Sequence, residues 1–243
     1  CSVNMAAGMI YTIGGSFWEF GGPDLERARL FVMIGTAEDH HSNPLKMALS
    51  KFKRQGGKFI SINPVRTGYS AIADEWIGIR PGTDGLFVMA LIHELIKAQK
   101  VDLQFLVRYT NAPWLVRDQE GHPEHGLFLR DADGNPQAWD RDADAAVNAL
   151  QPDISPALGG RFTLDDGTVA RPAFELMAER YLEPRFSADV VEDQTGVPAD
   201  TTLAVSEAVV DADLQHHARR CRVESRNDAS RAASATASRM MNI

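Results

Sequence analysis

The chain has 243 residues, 44% of them hydrophobic and 24% charged, which is the make-up of a soluble globular protein long enough to bury a core. A net charge of −8 argues against a nucleic-acid partner, because phosphate binding needs clustered Lys and Arg. Two cysteines, Cys1 and Cys221, exclude a disulfide scaffold or a cysteine-rich zinc site, and no apolar run is long enough to span a membrane. The chain opens on an apolar stretch with no positively charged leader, so a fragment of a longer protein is expected.

Arg29–Ile34 (RLFVMI) is a continuous apolar run, the pattern of a strand buried on both faces. A polar loop, Gly35–Asn43, follows. From Pro44 to Gln55 the residues Leu45, Met47, Ala48, Leu49 and Phe52 recur at helical spacing, with Pro44 suited to the first turn and Gly56-Gly57 to the carboxyl cap. Phe59–Ile62 predicts a second strand and Trp76–Ile79 a third. Arg80–Asp84 is a turn, and Gly85–Gln99 a mostly apolar, buried helix. Short loops between strands and helices imply parallel pairing through right-handed crossovers. Residues 114–160 are polar and Asp-rich and read as loop; Arg161–Ala170 reads as a hairpin around Asp165-Asp166-Gly167. Helices follow over Pro172–Tyr181, from a Ser187 cap to before Gly196, and over residues 201–220 with Asp200 as cap. From Cys221 on, Ala, Ser and Arg dominate without an aromatic residue, and the tail is expected to be disordered.

Parallel strands would bring Gly35–Asn43, Asn63–Gly68 and Arg80–Asp84 to one carboxyl edge, where open sheets bind ligands. Gly35 and Thr36 allow a phosphate near the backbone, and a helix starting near Pro44 aims its amides at the same place. Arg66 and Arg80 offer forked donors for phosphate oxygens. Asn63 sits where a side chain reaches ribose hydroxyls, and Asp84 can accept two hydrogen bonds from one edge of a guanine. These residues fit a nucleotide-containing cofactor. They fit plain turn chemistry with surface arginines as well, and spacing alone leaves both readings open.

The run Ser61-Ile-Asn-Pro-Val-Arg-Thr67, then Ala73-Asp-Glu-Trp76, then Ile79-Arg-Pro-Gly-Thr-Asp84 resembles the molybdopterin oxidoreductases of the dimethyl sulfoxide reductase superfamily. That superfamily includes formate dehydrogenases, nitrate reductases, and arsenate, thiosulfate and polysulfide reductases. The resemblance covers about residues 1–115 well and 170–200 loosely. It implies an α/β fold, a Rossmann-like parallel sheet with flanking helices that is part of a larger enzyme, followed by an irregular segment and the tail. The implied cofactor is bis-molybdopterin guanine dinucleotide with molybdenum or tungsten. Three stretches match that family's dinucleotide contacts: Gly35, Thr36, Ala37, Glu38 and Asp39, with Asn43 and Pro44; Asn63, Pro64, Val65, Arg66 and Thr67; and Gly82, Thr83 and Asp84, with Arg80 just ahead. Relatives often carry Asp in place of Asn63. Cys1 stands 34 positions ahead of Gly35, with Ala7-Gly8 six and seven places after it, the register at which that family carries its metal-bound residue. The resemblance therefore implies a catalytic Cys1 thiolate on the metal, consistent with the soft ligands that such metals take. Ser2 stands where formate dehydrogenases usually carry His, which puts formate in doubt.

A [4Fe–4S] cluster is expected in a segment ahead of Cys1, together with a small-molecule substrate and an electron-transfer partner or subunit. Residues 1–115 are expected to form the dinucleotide-binding domain, 116–200 a polar excursion, hairpin and short helices, and 201–243 a helix and a tail foreign to the family. The full-length protein would be the enzyme, and this chain alone inactive. The compartment stays open, with the cytoplasm placed ahead of the periplasm. The histidines (His40, His41, His93, His122, His125) lack metal-site spacing; His93 reads as a satisfied core histidine and the rest as loop residues. The Asp131–Asn135 and Asp140–Asp144 runs lack the Gly and Glu of a calcium loop. Two rival readings are a nucleotide-binding module without metal chemistry and a truncation product without function.

Overall fold

Two apolar runs and a short Trp-bearing segment become three parallel strands in the computed structural model, which describes residues 2–15, 24–35, 44–66 and 68–212. They are β1 (Leu30–Ile34), β2 (Lys58–Ile62) and β3 (Glu75–Ile77), in the order β1-β2-β3. Ile34 pairs with Ile62, and Ile62 with Ile77, so all three strands end at one carboxyl edge. Connecting them are α2 (Pro44–Arg54) and the single-turn α3 (Gly68–Ile72). The apolar N-terminal stretch is a helix, α1 (Ser2–Ile13), with Val3 and Tyr11 largely exposed. Residues up to Ile77 form one compact unit and Gly78–Val210 another.

The first unit is held by Leu49 and Phe52 of α2 packed with Met33, Phe59 and Tyr69, all buried. Gly57 follows the αL turn at Gly56 (φ +84°), and a Cβ at Gly57 would lie 2.3 Å from the Phe52 ring. Only glycine lets the chain pass so close to that ring. At the amino ends of the strands, Lys53 Nζ reaches both Asp74 Oδ1 (2.8 Å) and the Ile72 carbonyl (2.7 Å). The Phe59 amide donates to Asp74 Oδ2 at 2.8 Å. Burial raises the Asp74 pKa, but the Lys53 and Phe59 hydrogen bonds and the charges of Lys53 and Lys58 outweigh it and hold the carboxyl below its ordinary range.

The second unit begins with α4 (Asp84–Lys97) and α5 (Leu103–Tyr109). Residues 114–160, expected as loop, instead carry β4 (Leu115–Arg117), β5 (Gln137–Asp140) and β6 (Ala145–Asn148). β7 (Phe162–Thr163) and β8 (Val169–Pro172) form the expected hairpin; β4 adds to it antiparallel, and β5 pairs with β6. The strands of 114–160 are too short to show a pattern of their own, and β4 exists by virtue of the distant β8. Trp139 of β5 stacks on Phe162 of β7, with centroids 4.4 Å apart and planes within 8°. Leu115, Leu129 and Ala170 make the small core beneath. The Asp-rich stretches are turns: Asp131 Oδ1 accepts from the amides of Asp133 (3.0 Å) and Asn135 (2.8 Å).

α6 (Ala173–Tyr181) and α7 (Ala188–Thr195) follow, joined by a 3₁₀ turn at Pro184–Phe186. Arg171 binds Glu179 and Glu175, and those two carboxylates keep its guanidinium more basic than usual. Two boundary expectations shift. The third strand stops at Ile77, because the Arg80 amide pairs with the Thr195 carbonyl of α7 instead of continuing a ladder. Residues 199–212 are helical, which places Asp200 inside that helix and not at its cap. The expected tail from Cys221 lies outside the described residues. Among the described residues, no helix is long and apolar enough to cross a membrane.

Candidate functional site

The carboxyl edge of the first unit carries Gly35 and Asn63. Gly35 adopts φ +75° with no atom within 4 Å of where a Cβ would stand, so its backbone face is open to close approach. Its amide does not face a ligand, since it donates to the Ile62 carbonyl at 3.0 Å. The Asn63 amide likewise donates to the Ile77 carbonyl at 3.1 Å. The Asn63 side chain is buried, and its Oδ1 accepts from the Val65 amide at 3.2 Å, closing the Asn-Pro turn. Pro64, Val65 and Arg66 are then exposed in succession. The Arg66 guanidinium lies over the Trp76 ring, 5.7 Å from its centroid, with no hydrogen bond or ion pair among the described residues. Beside it, Trp76 Nε1 is buried without an acceptor. Pro44 opens α2, as expected.

The second unit carries the Arg80–Asp84 turn. Gly82 has φ +81° with open space at its Cβ position. Thr83 Oγ1 donates to the Arg80 carbonyl at 2.7 Å, and Asp84 is the first residue of α4. Asp84 is half-buried and has no hydrogen-bond or ion-pair partner among the described residues. A carboxylate at a helix N-terminus is favoured by the helix dipole. Arg80 differs from expectation. Its Nη1 donates to the Asp193 carbonyl at the end of α7, so part of its fork is already occupied.

Cys1, Thr36, Ala37, Glu38, Asp39, Asn43 and Thr67 lie outside the described residues, as do His40 and His41. Sequence reasoning missed Trp76 as more than a strand residue, because it read Trp76 as the first residue of a strand Trp76–Ile79, whereas the strand is Glu75–Ile77. It also missed Glu94, a buried carboxylate of α4 that accepts from the Ala188 amide at 3.2 Å. His93 is the satisfied core histidine expected, buried with Nδ1 2.8 Å from the Tyr181 carbonyl.

Among the candidate residues, those without a partner differ in chemistry between the two units. The first holds donors without acceptors, Arg66 and the Trp76 indole N–H, as an anionic group requires. The second holds an acceptor without a donor, Asp84, as the N–H edge of a guanine requires. Within its own unit each set has a fitting ligand chemistry: a phosphate for Arg66 and Trp76, and a paired N–H edge for Asp84.

Comparison with known proteins bears on the same residues. The family model for molybdopterin oxidoreductase matches residues 4–223. The chain is 58% identical over 212 residues to a sulfite dehydrogenase subunit of Allochromatium vinosum, covering 83% of this chain and 22% of that protein. It is 29% identical over 189 residues to the formate dehydrogenase-O major subunit of Escherichia coli, covering 77% of this chain and 18% of that one. It is 37% identical over 115 residues to dimethyl sulfoxide reductase DmsA of Haemophilus influenzae, covering 44% of this chain and 14% of that one. The chain thus spans between 14% and 22% of the length of these relatives. Among solved structures, acetylene hydratase from Pelobacter acetylenicus shares the fold, with a TM-score of 0.51 at 18% identity over 85% of this chain and 19% of that one. With most of its length matched and the loops that carried the resemblance inside the match, the chain belongs to the molybdopterin oxidoreductase family.

Proposed function

We propose that the protein carrying this chain is a molybdenum or tungsten oxidoreductase with bis-molybdopterin guanine dinucleotide, and that its substrate is sulfite. The unpaired groups carry the cofactor reading: Arg66 and Trp76 offer donors, and Asp84 offers an acceptor matched to guanine. The 58% identity to a sulfite dehydrogenase subunit supports the substrate. When bound, the metal cofactor supplies two-electron redox, in which sulfite gains an oxygen atom from water and becomes sulfate with release of two protons and two electrons. A [4Fe–4S] cluster held ahead of Cys1 would carry the electrons to an electron-transfer partner or subunit.

This chain's own residues position the cofactor and do not carry out the oxidation. Gly35 and Gly82 keep backbone faces clear, and Pro64 and Val65 hold the Asn63 turn in place. Arg66, held over the Trp76 ring, offers its fork to a phosphate. Asp84 takes the paired N–H groups of guanine. Cys1 supplies the metal thiolate, and Thr36, Ala37, Glu38, Asp39, Asn43 and Thr67 complete the loops.

The test is metal and nucleotide analysis of the complete protein, with sulfite-dependent reduction of an artificial acceptor. Near-stoichiometric molybdenum or tungsten, about two GMP per polypeptide as two dinucleotides require, and oxidation of sulfite in preference to formate or nitrate are expected. Cys1→Ala should alter the metal centre while GMP is retained. Absence of both metal and GMP, with the pterin pathway intact, would refute the cofactor reading. Cofactor with no sulfite oxidation would refute the substrate.

A further inference from the structure

We propose that α7 is a strut that holds the guanine-reading turn in place, and that Arg80 and Glu94 are the positioning residues that clamp its two ends; this rests on the reading of Asp84 given above. α7 runs antiparallel to α4, and its two ends are gripped from the two ends of α4. At its start, the Ala188 amide donates to Glu94 Oε1 at 3.2 Å, a bond fully buried. At its finish, Arg80 Nη1 donates to the Asp193 carbonyl, and the Arg80 amide donates to the Thr195 carbonyl at 2.8 Å. The polarity is matched: a carboxylate meets the amino end of the helix and a guanidinium its carboxyl end, each favoured by the helix dipole.

The lengths match too. From Asp84 to Glu94 α4 rises about 15 Å, and α7 is about 12 Å long, so one helix lies along the other with both ends in reach. Between the clamps Ala188, Val191 and Thr195 are buried, as are Phe87 and Ala90 of α4. Gly196 ends α7 at φ +73°, and the Arg80 stem lies 3.5 Å from where its Cβ would be. His93 ties α4 to the end of α6 through the Tyr181 carbonyl, and Lys97 holds the other Glu94 oxygen at 3.4 Å. Asp84 stands four residues after Arg80. Within the turn, Thr83 donates only to the Arg80 carbonyl, which ties the turn to itself and not to a neighbouring element; the strut supplies that fixed point.

The test uses the complete polypeptide, loaded with cofactor and in cofactor-free form. Arg80→Ala, a change at an exposed side chain, and Glu94→Ala are compared with Glu94→Gln, which keeps an acceptor for the Ala188 amide. Two quantities are read: the rate of GMP loss from loaded protein, and deuterium uptake over residues 190–200 in cofactor-free protein. Both alanine variants should raise both by about tenfold, the worth of one hydrogen bond to a charged group. Glu94→Gln should behave as wild type, whereas Glu94→Met, which keeps the volume but offers the Ala188 amide no oxygen, should behave as Glu94→Ala; a general packing role predicts wild-type behaviour for both. If Glu94→Ala fails to accumulate, Arg80→Ala and Glu94→Gln decide the matter. Faster GMP loss in Arg80→Ala with unchanged uptake would place Arg80 on the ligand itself and overturn the strut. Raised uptake with unchanged GMP loss would overturn it equally. Asp84→Asn separates the two readings: unchanged GMP content there refutes the guanine assignment, whereas lost GMP beside wild-type clamp variants refutes the strut alone.

Discussion

Replacing Asp74 by Ala removes the clasp that joins α2, β2 and the start of β3. Two contributions are lost. The Phe59 amide belongs to a fully buried residue and loses its 2.8 Å acceptor, which costs about 1–3 kcal/mol. The Lys53 ion pair is lost as well, but its side chains are 32% and 39% exposed, so solvent screening limits it to about 0.5 kcal/mol. Lys53 keeps the Ile72 carbonyl, which softens the second loss. The sum is about 2 kcal/mol, or about 8–16 °C in the unfolding midpoint of a unit this size. Amide exchange at Phe59 should quicken by about thirtyfold. The acid side gives an independent check. The Asp74 carboxyl titrates below its ordinary value in the folded state, so its contribution is complete above about pH 4 and is lost as pH falls through the lowered value. Asp74→Asn should therefore be destabilised at neutral pH and converge on the wild type in acid. A midpoint shift under about 1 °C for Asp74→Ala, with Phe59 exchange unchanged, would refute the reasoning.

Gly57→Ala should cost about 1–3 kcal/mol in urea denaturation, because its Cβ would sit 2.3 Å from the buried Phe52 ring and the ring has nowhere to go. Phe162→Leu should cost about 1 kcal/mol and shift the Trp139 emission, since it removes a stacked aromatic partner at 4.4 Å; an unchanged spectrum would mean that the stack is absent in solution. Arg66→Ala should speed GMP loss from the loaded protein about tenfold, the worth of a charge-assisted bond to phosphate, while leaving the melting temperature of the cofactor-free protein unmoved.

The parallel sheet was legible because its signals are local. An unbroken apolar run such as Leu30–Ile34 reads as a strand, although only Met33 of it is buried and Ile34 is exposed where burial on both faces was expected, and Pro44 and Gly56 bracket the helix that follows. The strands in 114–160 were illegible for the opposite reason. β4 owes its existence to β8 and the Trp139 ring to Phe162, and no window around either shows the partner. The same distinction divides the site. Asn63, Gly82 and Asp84 were visible as turn residues after a strand. The engagement of Arg80 with Asp193 was not, because a forked donor looks the same in sequence whether it faces a ligand or a carbonyl far along its own chain.

The ladder bonds of Gly35 and Asn63 bear on how such a sheet edge could change its preference over time. Their amides serve the neighbouring strands, so at these two positions no backbone N–H is left for recognition. Exposed positions such as Val65 and Arg66 can then vary without disturbing a strand, and the scaffold separates what binds from what folds.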